Sequence, residues 1–294
     1  MKEGSPQGFL SRALKISARL SMARKSRALI AGLCLILPLL FLGFILPLVV
    51  PRRGLSMAAY PRDLSPSFEH ILGTDSLGRD IFTLLIYGLQ QSLIIGLIAG
   101  TVGIALGVLI GFTAGYKGGF TDDLLRSTTD TFLVIPTWPL LVILSGYLKA
   151  LTVPLLALLL AAFSWPGAAR GMRSQVLSLK ERGFVRLAKL SGEGDLGIIF
   201  KEIAPNIFPY IVMMFGGSMT GAMVSEVALE LIGLGPSESN TLGLIIYWAM
   251  FYGATVRRMW WWIAPPIICL VALFLGLQLL NIGLDEVYNP RIRR

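Results

Sequence analysis

The chain has 294 residues, 54% hydrophobic and 15% charged, against about 25% charged in an ordinary soluble domain, so the composition excludes a soluble globular protein and indicates a membrane one. In that setting the formal net charge of +9 marks basic loops beside anionic lipid, not a nucleic-acid surface. The sequence contains no GxxxxGK(S/T), HExxH or CxxC pattern; no bound nucleotide, metal or nucleic-acid partner is expected of it.

In chain order, residues 1–27 form a basic tail. It is either an amphipathic surface helix, with Leu14, Ile16, Leu20 and Met22 among cationic residues, or a disordered arm. Six apolar segments reach the roughly 20 residues that a bilayer-crossing helix needs. They lie near 28–50, 89–116, 125–148, 152–174, 207–235 and 259–284. Residues 51–88 form the first outer loop, and residues 89–284 form the core of the domain. In the second segment Gly96, Gly100, Gly103, Gly107 and Gly111 recur every three or four residues, a smooth stripe suited to close helix contact. Asp130, Pro136 and Pro139 interrupt the third segment, which predicts a helix packed inside the bundle where freed backbone groups find partners. Cys34 and Cys269 fall inside apolar runs and read as packing residues.

Nineteen Lys and Arg residues lie in the tails and one set of loops, against seven in the other set. The richer set is therefore cytoplasmic and both termini are inside. Between the fourth and fifth segments this places a charged cytoplasmic loop, 180–206, ERGFVRLAKLSGEGDLGIIFKEIAPN in its main part. Gly183 and Gly192 bracket a stretch too short to be a stable isolated helix, so its face of Phe184, Leu187 and Ala188 needs a cover. Asp195 is the expected N-cap of a second short helix, and Pro205 is expected to end or bend it.

This loop resembles the EAA loop of ABC importer permeases. Gly192, Ile203 and Pro205 fall on the pattern and Ala188 on its last alanine, whereas Arg186 stands where glutamate is usual and Leu187 where alanine is usual. ILGTDSLGRDIFTLLIYG, with Gly73, Asp75, Gly78, Arg79 and Asp80, resembles the segment before the second span of the dipeptide/oligopeptide/nickel branch. SEVALELIGLG and NIGLDEVYNPRIRR resemble the end of that branch's fifth span and its C-terminal tail. The order of the matches and the first-span extension fit the second permease of such a pair. The resemblance implies an all-α membrane fold of six transmembrane helices, of the type I importer kind, with a cytoplasmic coupling helix. It also implies a heterodimer with a homologous permease, two cytoplasmic ATPases that use ATP and Mg, and an extracellular binding protein that delivers peptides. Oligosaccharides or nickel chelates are the alternative cargo. Under this reading the chain itself is no enzyme, binds no cofactor and resides in the plasma or inner membrane.

The acids weigh as follows. Glu226 and Glu230 lie one helical turn apart in a span, and intramembrane acids default to function. They line a substrate path, or they sit hydrogen-bonded near the outer interface. Asp75, Arg79 and Asp80 form an ordered outer scaffold with local, exposed ion pairs, and His70 is an ordinary polar residue of that loop. Asp130 caps a helix or reaches the path. The Trp260–Trp262 cluster reads as an interfacial belt. A secondary carrier would show an inverted repeat, which is absent; an intramembrane enzyme would need a Ser/Lys, Asp/Asp or metal-ligand constellation, and none stands out.

Overall fold

The structure, a computed structural model, describes residues 26–148, 151–236 and 239–288. The amphipathic reading of residues 1–25 and the tail 289–294 lie outside the described residues. Among those described the architecture is helical throughout. Helix α1 spans Arg27–Leu48, α2 Ile81–Lys117, α3 Gly119–Val134 and α4 Thr137–Tyr147. Helix α5 spans Val153–Lys180, α6 Gly183–Leu190, α7 Asp195–Leu231, α8 Leu242–Phe251 and α9 Trp260–Tyr288. Helices α1, α2, α5, α7 and α9 are long and apolar enough to cross a membrane, and α3 with α4 makes a sixth, broken span.

Local chemistry sets the boundaries. Ser26, Asp80, Thr152 and Thr241 cap α1, α2, α5 and α8 by accepting a first-turn N–H. Asp80 starts α2 at Ile81, so the loop after α1 ends at residue 80, eight residues before its expected limit of 88. Gly118 and Gly119, at φ +69° and +56°, turn the chain between α2 and α3.

The glycine stripe of α2 serves two neighbours. A Cβ on Gly96 or Gly100 would press on Met219 of α7; one on Gly107 or Gly111 would strike Ala168 and Ala169 of α5. Close approach of backbones replaces the hydrophobic drive that lipid removes. Helix α1 docks on α9 in the same manner, with Gly32 against Gly276 and Leu280, and Gly283 against Leu29.

Three expectations change. The broken span is not packed inside this chain's bundle: α3 and α4 meet at 77°, and Val134, Ile143 and Tyr147 are exposed. Ile135 is extended before Pro136, because proline excludes the helical conformation at the residue before it. Secondly, of the two outcomes expected of Pro205, ending the short helix does not occur. Residues 195–231 run as one helix with a π-helical segment at Ile198–Ile203, and Pro205 sits just after that irregular turn, where a missing N–H costs little. Thirdly, Asp195 is not the N-cap. Gly194 occupies that position, and Asp195 is the first helical residue.

Candidate functional site

Helix α6 is held to the bundle by one face. Val185 is buried with Met172 and Val176 of α5 and Ile198, Ile203 and Ile207 of α7; Ala188 packs against the same cluster. The expected single face of Phe184, Leu187 and Ala188 is therefore split. Ala188 faces inward with Val185, while Leu187 and Leu190 are 66% and 85% exposed. Leu196 and Phe200, on the first turns of α7, are exposed as well. The helix ends in a Schellman turn: Gly192 N–H donates to Lys189 O at 3.1 Å and Glu193 N–H to Ala188 O at 3.2 Å. Gly192 adopts φ +78°, a conformation in which glycine alone is free of Cβ strain.

Polar contacts brace this loop. Tyr116 Oη of α2 donates to Asp195 Oδ1 at 2.8 Å, and Lys180 Nζ donates to Tyr116 O at 2.7 Å. Arg186 pairs with Glu181 in solvent, so the residue standing where the resembling family carries glutamate is engaged within its own loop. Ile203 is fully buried. On the adjoining surface Arg173 grips Asp122 through two nitrogens, and Arg170 donates to Asp130 at 2.6 Å. These two pairs tie α3 to α5, and Asp130 is one of them, not a helix cap.

At the opposite end, residues 51–80 form a folded cap. Asp75, Arg79 and Asp80 are held in an ordered segment, and their ion pairing is buried, not exposed. Arg79 Nε donates to Asp75 Oδ2 at 2.7 Å, and Asp75 Oδ1 accepts the N–H groups of Leu77 and Arg79. Gly73 and Gly78 take positive φ against the backbone of residues 58–65. His70 is also buried, with Nδ1 2.8 Å from Asp80 Oδ2, so it is part of the scaffold. Arg257, in the segment between α8 and α9, reaches Asp63 and Ser76. The hydrogen bond from Arg257 holds the Asp63 carboxyl below its usual range.

Arg79 Nη1 also donates to Asn240 Oδ1 at 3.1 Å, and Gln91 Oε1 accepts Asn240 N–H at 2.9 Å. The next two residues lead to the acids. Thr241 Oγ1 donates to Glu230 Oε1 at 2.6 Å. Ser92 Oγ donates to Glu226 Oε1 at 2.7 Å and accepts Leu242 N–H at 3.2 Å. Both glutamates are 0% exposed. Glu230 lies against the N-terminal turn of α8, at Gly243, where the helix dipole favours a carboxylate. The sequence reading missed α8 altogether, although Thr241 before an unbroken apolar run is a start signal. The tryptophans divide: Trp260 is exposed, whereas Trp262 is fully buried.

A different face of α7 is open. With α4 and α5 it borders a cavity of 290 Å³ lined by Thr137, Ser164, Ser218, Gly221 and Ser225. Neither glutamate lines it. The sequence reading passed over these serines, whose i, i+3 and i+7 spacing with Gly221 was the available signal.

The long apolar helices mark a membrane protein, and comparison with known proteins decides which kind. Residues 107–294 match the family described as the binding-protein-dependent transport system inner membrane component. The chain belongs to this family. A protein of Brucella suis biovar 1 (strain 1330), provisionally named a peptide transport system permease, is 30% identical over 95% of this chain and 92% of its own. The oligopeptide transport system permease protein OppC of Mycobacterium bovis is 28% identical, covering 92% of each chain. The inward-facing MetNI methionine ABC transporter matches in structure with a TM-score of 0.51 at 18% identity, over 71% of this chain and 97% of that one. The fold is thus that of a type I ABC importer permease. The chain is a multi-pass inner membrane component, and the ATPase activity of such systems belongs to a separate subunit.

Proposed function

We propose that this permease forms half of the translocation path of an ATP-driven peptide importer, and that α6 is the coupling helix through which partner ATPases move the spans. The observation that carries this reading is the outward face of α6. Leu187 and Leu190 stand exposed on an eight-residue helix that the bundle holds rigidly by Val185, and such a helix transmits a push as a rigid body. Peptide cargo is supported by the names of the relatives. The partners are a homologous permease, two cytoplasmic ATPases using ATP and Mg, and an external binding protein; this chain holds no cofactor itself. The exposed broken span α3–α4 suits the second permease, and the outer cap, where Phe68 and Ile71 are exposed, suits the binding protein. Both termini are cytoplasmic by the bias of Lys and Arg.

The test is Leu187→Glu with Leu190→Glu. Neither side chain packs in this chain's core, so insertion persists. Copurification of the ATPases and peptide uptake are expected to be lost. Normal uptake by the inserted double variant overturns the coupling role.

A further inference from the structure

We propose that the groove at the start of α9 seats one anionic phospholipid, with its phosphate on Arg258 and an acyl chain along the helix. The groove measures 380 Å³. Trp260, Ile263, Ala264, Ile267 and Ile268 line it, and their i, i+3, i+4, i+7, i+8 spacing puts them on one face of α9. Ala264, small among four large side chains, leaves room there. Ala254 and Thr255 of the preceding turn complete the lining with Arg258, its one charged residue among those described.

The placement of Arg258 is the second observation. Arg257 is committed to Asp63 and Ser76, whereas among the described residues the Arg258 guanidinium has no hydrogen bond or ion pair. The backbone holds it in place. Arg258 N–H donates to Thr255 O at 3.2 Å and Met259 N–H to Ala254 O at 2.8 Å. These are the two bonds of a Schellman turn, and Arg258, at φ +57°, occupies the position that glycine ordinarily fills. Ala254 and Met259 are both buried, which anchors the turn. A left-handed arginine is strained, and such strain persists where the surroundings over-determine it. The turn therefore fixes a free cation on the wall of an apolar groove.

The chemistry selects the occupant. From Trp260 onward α9 is apolar enough to cross a membrane, and exposed tryptophan is the residue type that sits at headgroup depth. Arg258, two residues earlier, is level with the lipid phosphates. A guanidinium pairs with phosphate through two parallel hydrogen bonds, and the apolar lining takes a hydrocarbon chain. No carboxylate among the described residues lines the groove to hold an ammonium headgroup. A headgroup of net negative charge therefore fits better than a zwitterionic one.

The test uses the whole transporter complex in detergent. Native mass spectrometry counts the phosphatidylglycerol and phosphatidylethanolamine retained across a lipid titration, with thermal unfolding followed in parallel. The wild type is expected to hold one phosphatidylglycerol about tenfold more tightly than Arg258→Gly does. Arg258→Gly also relieves the left-handed strain, so without lipid it is expected to unfold no earlier than the wild type. Phosphatidylglycerol should raise the unfolding temperature of the wild type and not of this variant. Arg258→Lys keeps the charge without the fork and should fall between the two. Ala264→Phe fills the groove with Arg258 in place and should lose the tight lipid as well; if it does not assemble, Arg258→Gly decides. Equal retention by the wild type and Arg258→Gly, or equal wild-type affinity for the two lipids, means annular lipid only and overturns the site. Full retention by assembled Ala264→Phe overturns the acyl-chain seat. A wild type that retains no phosphatidylglycerol, as when a partner subunit covers α9, overturns the proposal too. So does an Arg258→Gly complex that unfolds earlier without lipid, because Arg258 is then a structural residue.

Discussion

Gly192 has nothing within 4 Å of an added Cβ and yet sits at φ +78°, so any substitution there acts through backbone strain alone. Alanine in this conformation costs roughly 1–2 kcal/mol. Proline cannot reach it and also lacks the N–H that Lys189 O accepts. Gly192→Ala is expected to weaken uptake several-fold, and Gly192→Pro to abolish it with membrane insertion intact. Uptake and insertion assays on the two variants check the order. A second residue-scale effect is at Asp63. Its carboxyl is depressed by Arg257, so its ion pair contributes stability above the unfolded pKa of about 4 and loses it as pH falls through the lower folded value. The folded cap of residues 51–80 is therefore expected to loosen only in strong acid. Cysteine labelling at Ser56 across pH reads this, and Asp63→Asn should remove the step. The effect is small, since both partners are partly solvated.

At the scale of elements, α8 is pinned by side chains from three other parts of the chain. Ser92 bridges Glu226 and the Leu242 N–H, and Glu230 takes the hydroxyl of the capping Thr241. Ser92→Ala leaves two buried groups without that partner and is expected to destabilise the protein by about 1–3 kcal/mol. Glu226→Gln keeps an acceptor for Ser92 and should change stability and uptake little. Thermal unfolding in nanodiscs and peptide uptake separate the two. A large uptake defect in a stable Glu226→Gln protein would return this residue to the translocation path. The same pinning makes α8 part of the folded cap of residues 51–80, because Asn240 answers to Arg79 and Gln91.

For the whole molecule, the loops at one end are strongly basic and carry α6, while the other end carries the folded cap. Cysteines at Ser56 and Ser191, both exposed, test the direction in a background with Cys34 and Cys269 replaced by alanine. An impermeant reagent is expected to label the first in sealed cells and the second only after permeabilisation. The opposite pattern would invert the topology and remove α6 from the cytoplasm.

The sequence alone determined the membrane class, the six apolar segments and the short helix between Gly183 and Gly192. Each follows from local rules: bilayer thickness sets segment length, and glycine marks positive φ. It determined the tight face of α2 as well, because a run of small residues has few other uses in lipid. It did not reveal that Asp75–Arg79 and His70–Asp80 are buried, that α3–α4 lies at the periphery, or that Glu226 and Glu230 answer to Ser92 and Thr241. Only the tertiary structure decided these. A charge is exposed or buried according to which distant segment covers it, and residues 75–80, 91–92, 226–230 and 240–242 meet through folding, not through spacing along the chain.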